Sequence, residues 1–275
     1  MGSPDQQQQQ SFQRPTPPKP LVDLHERVAV VTGASSGIGE AITEGLVRAG
    51  AHVVMFARRT ERIQQLGERL ATEAKTQGEH YGETLAVTGD VREEADVQRL
   101  MREALDRFGR IDILIANAGF GYRKLLVEGD PAIWKAMIDT NVYGLLLTLK
   151  YGVRPMLERG QGGNVVVTSS VAGRVPTITG SAYCGTKFAA TAIADSLREE
   201  VGPRGIQVTT IEPGVVISEF QEKALYTPDV VGNMLKGAEP LMPGDIARAV
   251  VFAVRQPANV GINEIVVRPT GQAYP

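Results

Sequence analysis

Cysteine is nearly absent: Cys184 is the one thiol in 275 residues, and only three histidines accompany it. A single thiol closes no internal disulfide. Cys184, His25, His52 and His80 are too scattered to form a metal-ligand cluster. A chain with no disulfide framework is expected in a reducing, cytoplasmic setting. A surplus of one charge is missing too. The net charge of -2 offers no basic field for nucleic acid. No run of about eighteen unbroken apolar residues occurs, so no membrane-spanning helix is expected.

What is present is apolar. Hydrophobic residues make up 43% of the chain, enough to bury a large core and too many for a disordered chain. The amino-terminal residues differ. Gln6 to Gln10 form a glutamine run, followed by Pro15, Pro17, Pro18 and Pro20. This stretch has no apolar core like that of a secretory signal and cannot pack a domain. Residues 1–24 are therefore expected to be a disordered tail, and residues 25–275 a single domain.

Strand-like apolar runs at 27–32, 51–57, 83–89, 111–116, 164–169, 206–211 and 262–267 alternate with helical patterns. Helices are expected over 37–49, 60–77, 93–108, 131–159, 181–201 and 243–255. Strands alternating with long helices imply βαβ units. Their right-handed crossovers place helices on both faces of a parallel sheet. The expected fold is a Rossmann-like, doubly wound α/β domain: seven parallel strands in a three-layer α/β/α sandwich. In the first helix Ala41, Gly45 and Ala49 form a small-residue face suited to close approach to the sheet. Residues 215–242 form the longest irregular stretch and are the expected substrate lid.

The turn after the first strand reads Thr32-Gly33-Ala34-Ser35-Ser36-Gly37-Ile38-Gly39. Glycines there permit left-handed backbone and remove the Cβ atoms that would block a pyrophosphate. The next helix would offer Ser35, Ser36, Gly37, Ile38 and Gly39 amides and hydroxyls to phosphate. At the end of the second strand, where an acidic residue would accept from an NAD ribose, the chain has Ala57-Arg58-Arg59. Arg58 suits the 2′-phosphate of NADP instead.

Tyr183 and Lys187 stand four apart on a helix and share a face. A tyrosine with a pKa of about 10 is a poor base at neutral pH, and an ammonium one turn away should lower it. Ser170 lies thirteen residues before Tyr183 at the end of the fifth strand. Ser169 is the competing hydroxyl. Asn117-Ala118-Gly119 follows the fourth strand, Asn141 lies within the long helix, and Pro213-Gly214 follows the sixth strand.

With these motifs in this order, and Gly89-Asp90-Val91 between them, the chain resembles the short-chain dehydrogenase/reductase family in its compact single-domain branch. The resemblance covers about residues 28–267. It implies that Tyr183 is the acid for carbonyl reduction and the base for alcohol oxidation. It implies that Lys187 lowers the tyrosine pKa and binds ribose, and that Ser170 hydrogen-bonds the substrate oxygen. Asn141 would hold a water linking Lys187 to solvent. Asp90 and Val91 would line the adenine site, and Asn117, Ala118 and Gly119 would support the cofactor. Pro213, Gly214 and Val216 would place the nicotinamide, with Ser218 at its carboxamide. The implied cofactor is NADP(H), the implied substrate a small carbonyl compound or its alcohol, and the implied assembly a homotetramer or dimer built through the helices carrying Asn141 and Tyr183.

The carboxyl-terminal Asn263-Glu264-Ile265-Val266-Val267-Arg268-Pro269-Thr270 departs from 3-oxoacyl-carrier-protein reductases. It resembles NADP-dependent 3-hydroxy acid and serine dehydrogenases and clavulanate-aldehyde reductases. A carrier-protein ketoreductase is one alternative, and a non-catalytic NADP-sensing protein is another. The substrate pocket is expected from Ser170, Tyr183, Tyr122, residues 175–179 and the lid, whose Phe220, Leu225, Tyr226, Met234 and Leu235 favour an apolar or mixed substrate. Lys223, Lys236 and Arg174 are candidate carboxylate partners. Cys184 and Trp134 are read as packing residues, with thiol-reagent inactivation at Cys184 left open.

Overall fold

A computed structural model describes residues 19–78 and 80–272; for Glu222 and Lys223 it describes the backbone alone. The expected tail falls mostly on residues 1–18, outside the described residues. Residues 22–24 belong to the domain: the Val22 amide donates to the Arg255 carbonyl at 2.7 Å, and Leu24 is buried.

Seven strands, β1 (Val28–Thr32), β2 (His52–Ala57), β3 (Thr84–Thr88), β4 (Ile113–Ala116), β5 (Gly163–Thr168), β6 (Ile206–Pro213) and β7 (Glu264–Val267), form one sheet. The order is β3-β2-β1-β4-β5-β6-β7, and every pairing is parallel. The direction of winding reverses between β1 and β4, which opens a crevice at the carboxyl ends of the strands.

Alternation along the strands explains the two cores. In β1, Val28 and Val30 face one layer, while Ala29 and Val31 face the other. The first layer is α3 (Glu94–Phe108), α5 (Gly144–Arg159) and α6 (Ser181–Val201). The second is α1 (Gly37–Arg48), α2 (Thr60–Gln77) and α9 (Pro243–Val254). The small-residue face of α1 meets a helix as its closest neighbour, not the sheet. A Cβ on Gly45 would lie 3.3 Å from Val251 and 3.7 Å from Ala247, both on α9.

The helix expected over 131–159 is divided. It consists of α4 (Pro131–Ile138), a π-helical turn (Asp139–Tyr143) and α5. Pro131 occupies the first turn, behind an Asp130 carboxylate that accepts from the Ala132 amide. The π turn carries Asn141, which is buried; such turns re-aim side chains within an otherwise regular helix. The stretch expected to be irregular contains two short helices, α7 (Glu219–Lys223) and α8 (Pro228–Leu235). No helix among the described residues is long and apolar enough to cross a membrane.

Candidate active site

The crevice is a cavity of about 530 Å³. Every residue expected to contact the cofactor lines it, from Gly33 through Arg58, Asp90 and Asn117 to Pro213, Val216 and Ser218, and so do Ser170, Tyr183 and Lys187.

At one end the turn after β1 folds tightly onto itself. Gly33 has φ +71°, and a Cβ there would stand 2.9 Å from the Ala118 backbone. A Cβ on Gly39 would stand 2.3 Å from the Gly33 carbonyl oxygen. Neither position has room for a side chain. Ser36 precedes α1 but its side chain does not cap the helix; its hydroxyl accepts from Arg59 at 2.6 Å. The first turn of α1 is thus left with its amides facing the cavity end. Asn117 locks this region to the sheet. Its Nδ2 donates to the Thr32 carbonyl at 3.1 Å and its Oδ1 accepts from Thr168 at 3.2 Å, joining the ends of β1, β4 and β5.

Of the two arginines after β2, the one singled out from sequence is the more exposed. The Arg58 side chain is 70% exposed and stands 3.9 Å from the Asp90 carboxylate. Arg59 lies across the phosphate turn: Nε donates to the Ser35 hydroxyl at 3.2 Å, and Nη1 to Glu219 at 2.8 Å. Glu219 belongs to α7, so this ion pair bridges the turn and the lid. Asp90 is itself engaged, receiving Arg92 at 2.6 Å. Burial opposes its charge, but Arg92 and its amide, with Arg58, hold the carboxyl below the usual carboxylate range.

At the other end the two serines, both in the cavity lining, differ in packing. Ser169 is buried, with its hydroxyl turned to the Lys187 carbonyl and to Thr191. Ser170 has its hydroxyl on the cavity, accepting from the Ala172 amide at 3.1 Å and donating to the Pro213 carbonyl at 3.4 Å. Tyr183 and Lys187 are both buried on α6. The lysine Nζ donates to the Thr168 carbonyl at 2.8 Å and lies 5.9 Å from the centre of the tyrosine ring.

Their electrostatics differ from the sequence expectation. Burial pushes the Tyr183 phenol up from its ordinary value, Tyr226 adds to this, and a hydrogen bond with Ser170 opposes it. Burial pushes Lys187 down to about 8. The expected lowering of Tyr183 by Lys187 does not prevail, because both charged forms lose solvation in the same apolar pocket. Burial thus favours the neutral phenol at Tyr183.

Asn141 departs from the expected pattern in another way. It is absent from the cavity lining. Its Oδ1 accepts from the Phe120 amide at 3.0 Å, and its Nδ2 donates to the Phe120 carbonyl at 2.8 Å and to Thr186 at 3.1 Å. Its side chain pins the segment after β4 against α6. A Cβ on Gly119 would stand 3.1 Å from Asn141 Oδ1 and 3.8 Å from Lys187 Nζ, so this clamp sits directly behind the lysine.

The substrate half is bounded by Phe120, Arg123, Thr177, Phe220, Tyr226 and Met234. Tyr122, expected in the pocket, packs instead against the Met137–Cys184 cluster, as does Trp134. Leu225 is exposed and Leu235 buried; neither lines the cavity. Arg174 is unsuited as a carboxylate partner for substrate, because Glu212 and Glu264 already pair with it. Lys236 does not line the cavity, and the Lys223 side chain lies outside the described residues. Cys184 is buried, its sulfur 3.7 Å from the Thr177 hydroxyl. No motif in the sequence marks Arg123, and Arg59 is visible there only as Arg58's neighbour.

The cavity's donor set fits a dinucleotide. Uncapped helix amides and two arginines lie at one end, and a phenol, a hydroxyl and an ammonium at the other. The family model for short-chain dehydrogenases matches residues 27–228. An uncharacterized oxidoreductase of Staphylococcus epidermidis is 35% identical over 249 residues, covering 90% of this chain and all (100%) of the relative. An alcohol dehydrogenase of the archaeon Thermococcus sibiricus, solved with 5-hydroxy-NADP, superposes with a TM-score of 0.78 at 32% identity, covering 90% of this chain and 98% of that one. A 3-ketoacyl-(acyl-carrier-protein) reductase of Brucella melitensis, solved with NADH, gives 0.79 at 25% identity, with 89% and 97% covered. The parallel sheet, the cavity at its switch point and these matches together lead to one conclusion: this chain belongs to the short-chain dehydrogenase family and is an NAD(P)-dependent oxidoreductase.

Proposed function

We propose that the chain is an NADPH-dependent reductase of a ketone or aldehyde, with Tyr183 as its proton donor. The observation that carries this reading is the buried Tyr183 phenol, bonded to Ser170 and held on one cavity wall with Lys187. Bound NADPH would supply a hydride to the carbonyl carbon. Tyr183 gives its phenolic proton to the carbonyl oxygen. Ser170 donates a hydrogen bond to the same oxygen and stabilises the charge that develops there. Lys187, one helical turn away, stabilises the phenolate left behind and offers its ammonium to the ribose. In the oxidative direction the same groups run in reverse from the phenolate.

Arg59 and Arg58 favour the 2′-phosphate of NADP: no acid stands at the end of β2 to accept from a free ribose hydroxyl. Arg59 is the better placed, since its guanidinium already bonds the Ser35 and Ser36 hydroxyls. We assign Gly33 to Gly39 to the pyrophosphate, Asp90 and Val91 to the adenine, and Gly119, Pro213, Gly214, Val216 and Ser218 to the nicotinamide half. Asn117 and Asn141 act by holding the strand ends and the Phe120 segment. Exposed apolar side chains on the segments carrying Asn141 and Tyr183, namely Ile138, Tyr143, Leu146 and Phe188, support a homo-oligomer.

The test is a screen of NADPH and NADH oxidation against ketones, aldehydes and oxo acids, with the matching alcohols run in reverse. Turnover with NADPH well above NADH is expected. Cofactor binding with no turnover across the panel would overturn the reading, and a preference for NADH would overturn the cofactor assignment.

A further inference from the structure

Among the described residues, the arginines lining the cavity are matched to carboxylates with one exception. Arg58 and Arg92 face Asp90, and Arg59 pairs with Glu219. Arg123 also lines the cavity, but among the described residues none of its partners is anionic. Its Nε donates to the Thr179 hydroxyl at 3.1 Å and its Nη2 to the Ile178 carbonyl at 3.0 Å. Its guanidinium stacks on Tyr226, 4.7 Å from the ring centre. Its Nη1 has the Met234 sulfur at 3.9 Å, a weak acceptor that leaves most of that nitrogen's donor capacity unused. A half-buried guanidinium without a counter-charge is costly, and one aimed by neutral groups is ready to receive an anion.

The surroundings hold it firmly. The Arg123 amide donates to the Ala224 carbonyl, and the Lys124 amide to Thr179. Thr179 and Leu225, on either side, are two of the four non-glycine residues in the left-handed region among the described residues, with φ +65° and +59°. Strain of this kind persists only where its surroundings over-determine it, and it clusters at ligand clamps. Arg123 therefore joins three segments of the pocket wall: the segment after β4, the loop before α6 and the lid. An aromatic wall leads from it to the reactive phenol. Tyr226 packs 6.2 Å from Phe220, and Phe220 5.6 Å from Tyr183.

We propose that Arg123 is the specificity residue of this site and that the substrate is an oxo acid: a carbonyl compound whose carboxylate pairs with Arg123. This rests on the reductase reading above. One aromatic ring lies between Tyr226 and Tyr183 along the wall, so the carbonyl at Tyr183 and the carboxylate at Arg123 are separated by an apolar spacer. Pyruvate has no methylene between its carbonyl and its carboxylate; levulinate and its longer homologues carry such a spacer. The bland alternative is that Arg123 only clamps the loop at Thr179 to the lid.

The test measures NADPH-dependent reduction of oxo acids from pyruvate through levulinate to longer homologues, each against its methyl ester. Ester formation removes the charge and leaves the ketone. The wild type should favour acid over ester by about tenfold or more in kcat/KM at the spacer length that fits, the range of a charge-assisted hydrogen bond. Arg123→Leu should abolish that preference by raising KM for the acid far more than KM for the ester. Arg123→Lys should restore part of it. Equal turnover of acid and ester by the wild type would overturn the proposal and leave the reductase reading standing. So would acid preference surviving Arg123→Leu. Loss of ester turnover with acid turnover in both variants would make Arg123 a clamp and overturn its assignment to specificity. No turnover of any acid or ester, or of any neutral ketone, would sink the reductase reading and this proposal with it.

Discussion

Tyr183 and Lys187 could be paired from their spacing, but their protonation could not. Spacing four apart on a helix places two side chains on one face; it says nothing of how much water they lose. Both are buried, and burial moves them in opposite directions, toward neutral phenol and neutral amine. This has a measurable sign. Lys187 is charged below its pKa of about 8 and neutral above it. Reduction that uses the ammonium to stabilise the Tyr183 phenolate should lose kcat/KM as pH rises through about 8, a plot that reports the free enzyme's groups. The phenol, pushed upward, stays protonated through that window. A kcat/KM for reduction that climbs above pH 8 would contradict the assignment. Arg59 and Arg123 teach a related lesson. Sequence showed an arginine pair without an acid nearby, yet only the fold reveals that Arg59 crosses the phosphate turn. Nothing in the pattern around Arg123 separated it from a solvated surface residue.

At the scale of elements, the alternation of strands and helices was legible because the inner strands, such as β1 and β4, are buried on both faces and read as apolar runs. The break in the helix expected over 131–159 was not. A π turn keeps helical periodicity nearly intact, so the pattern runs through it unbroken while Asn141 swings inward. The two short helices within 215–242 were hidden because only part of the segment is buried. Asp112 was overlooked for a different reason: a lone acid near the start of an expected strand looks like solvent-facing charge. It is in fact buried at the amino end of β4. Arg27 approaches it at 3.1 Å, Arg110 at 2.6 Å, Arg159 at 2.8 Å and the Val28 amide at 3.0 Å. Burial opposes its charge, but Arg110, the Val28 amide and Arg159 prevail and hold its pKa below the ordinary value. A depressed carboxylate contributes stability above its unfolded pKa and loses it as pH falls through the folded one. Asp112→Ala strands three guanidiniums and should cost about 3 kcal/mol in urea unfolding at neutral pH. A loss within about 0.5 kcal/mol, the range of ordinary surface changes, would contradict this. Because Asp112 lies at the sheet end opposite the cavity, NADPH affinity of the folded variant should be unchanged.

At the scale of the molecule, the doubly wound sheet gathers residues from distant stretches of sequence onto one crevice, with the phosphate turn at one end and the phenol at the other. The motifs foretold this because most of them follow strand ends, with Tyr183 and Lys187 brought in by α6. The substrate half was less legible because its walls come from loops without a shared pattern. Outside the crevice, Ile138, Tyr143, Leu146 and Phe188 leave apolar surface on the two helices nearest the reactive pair. Sedimentation at micromolar concentration should therefore show a dimer or tetramer, and Tyr143→Glu combined with Phe188→Glu should shift it toward monomer. A monomeric wild type would contradict the interface. The account as a whole turns on one hydroxyl group. Replacing it in Tyr183→Phe, and following both NADPH binding and carbonyl reduction, should leave the NADPH Kd intact while turnover falls by about a hundredfold to ten-thousandfold, the usual reach of a positioned acid. Turnover that stays within about tenfold of the wild type would place the proton donor elsewhere and contradict the account.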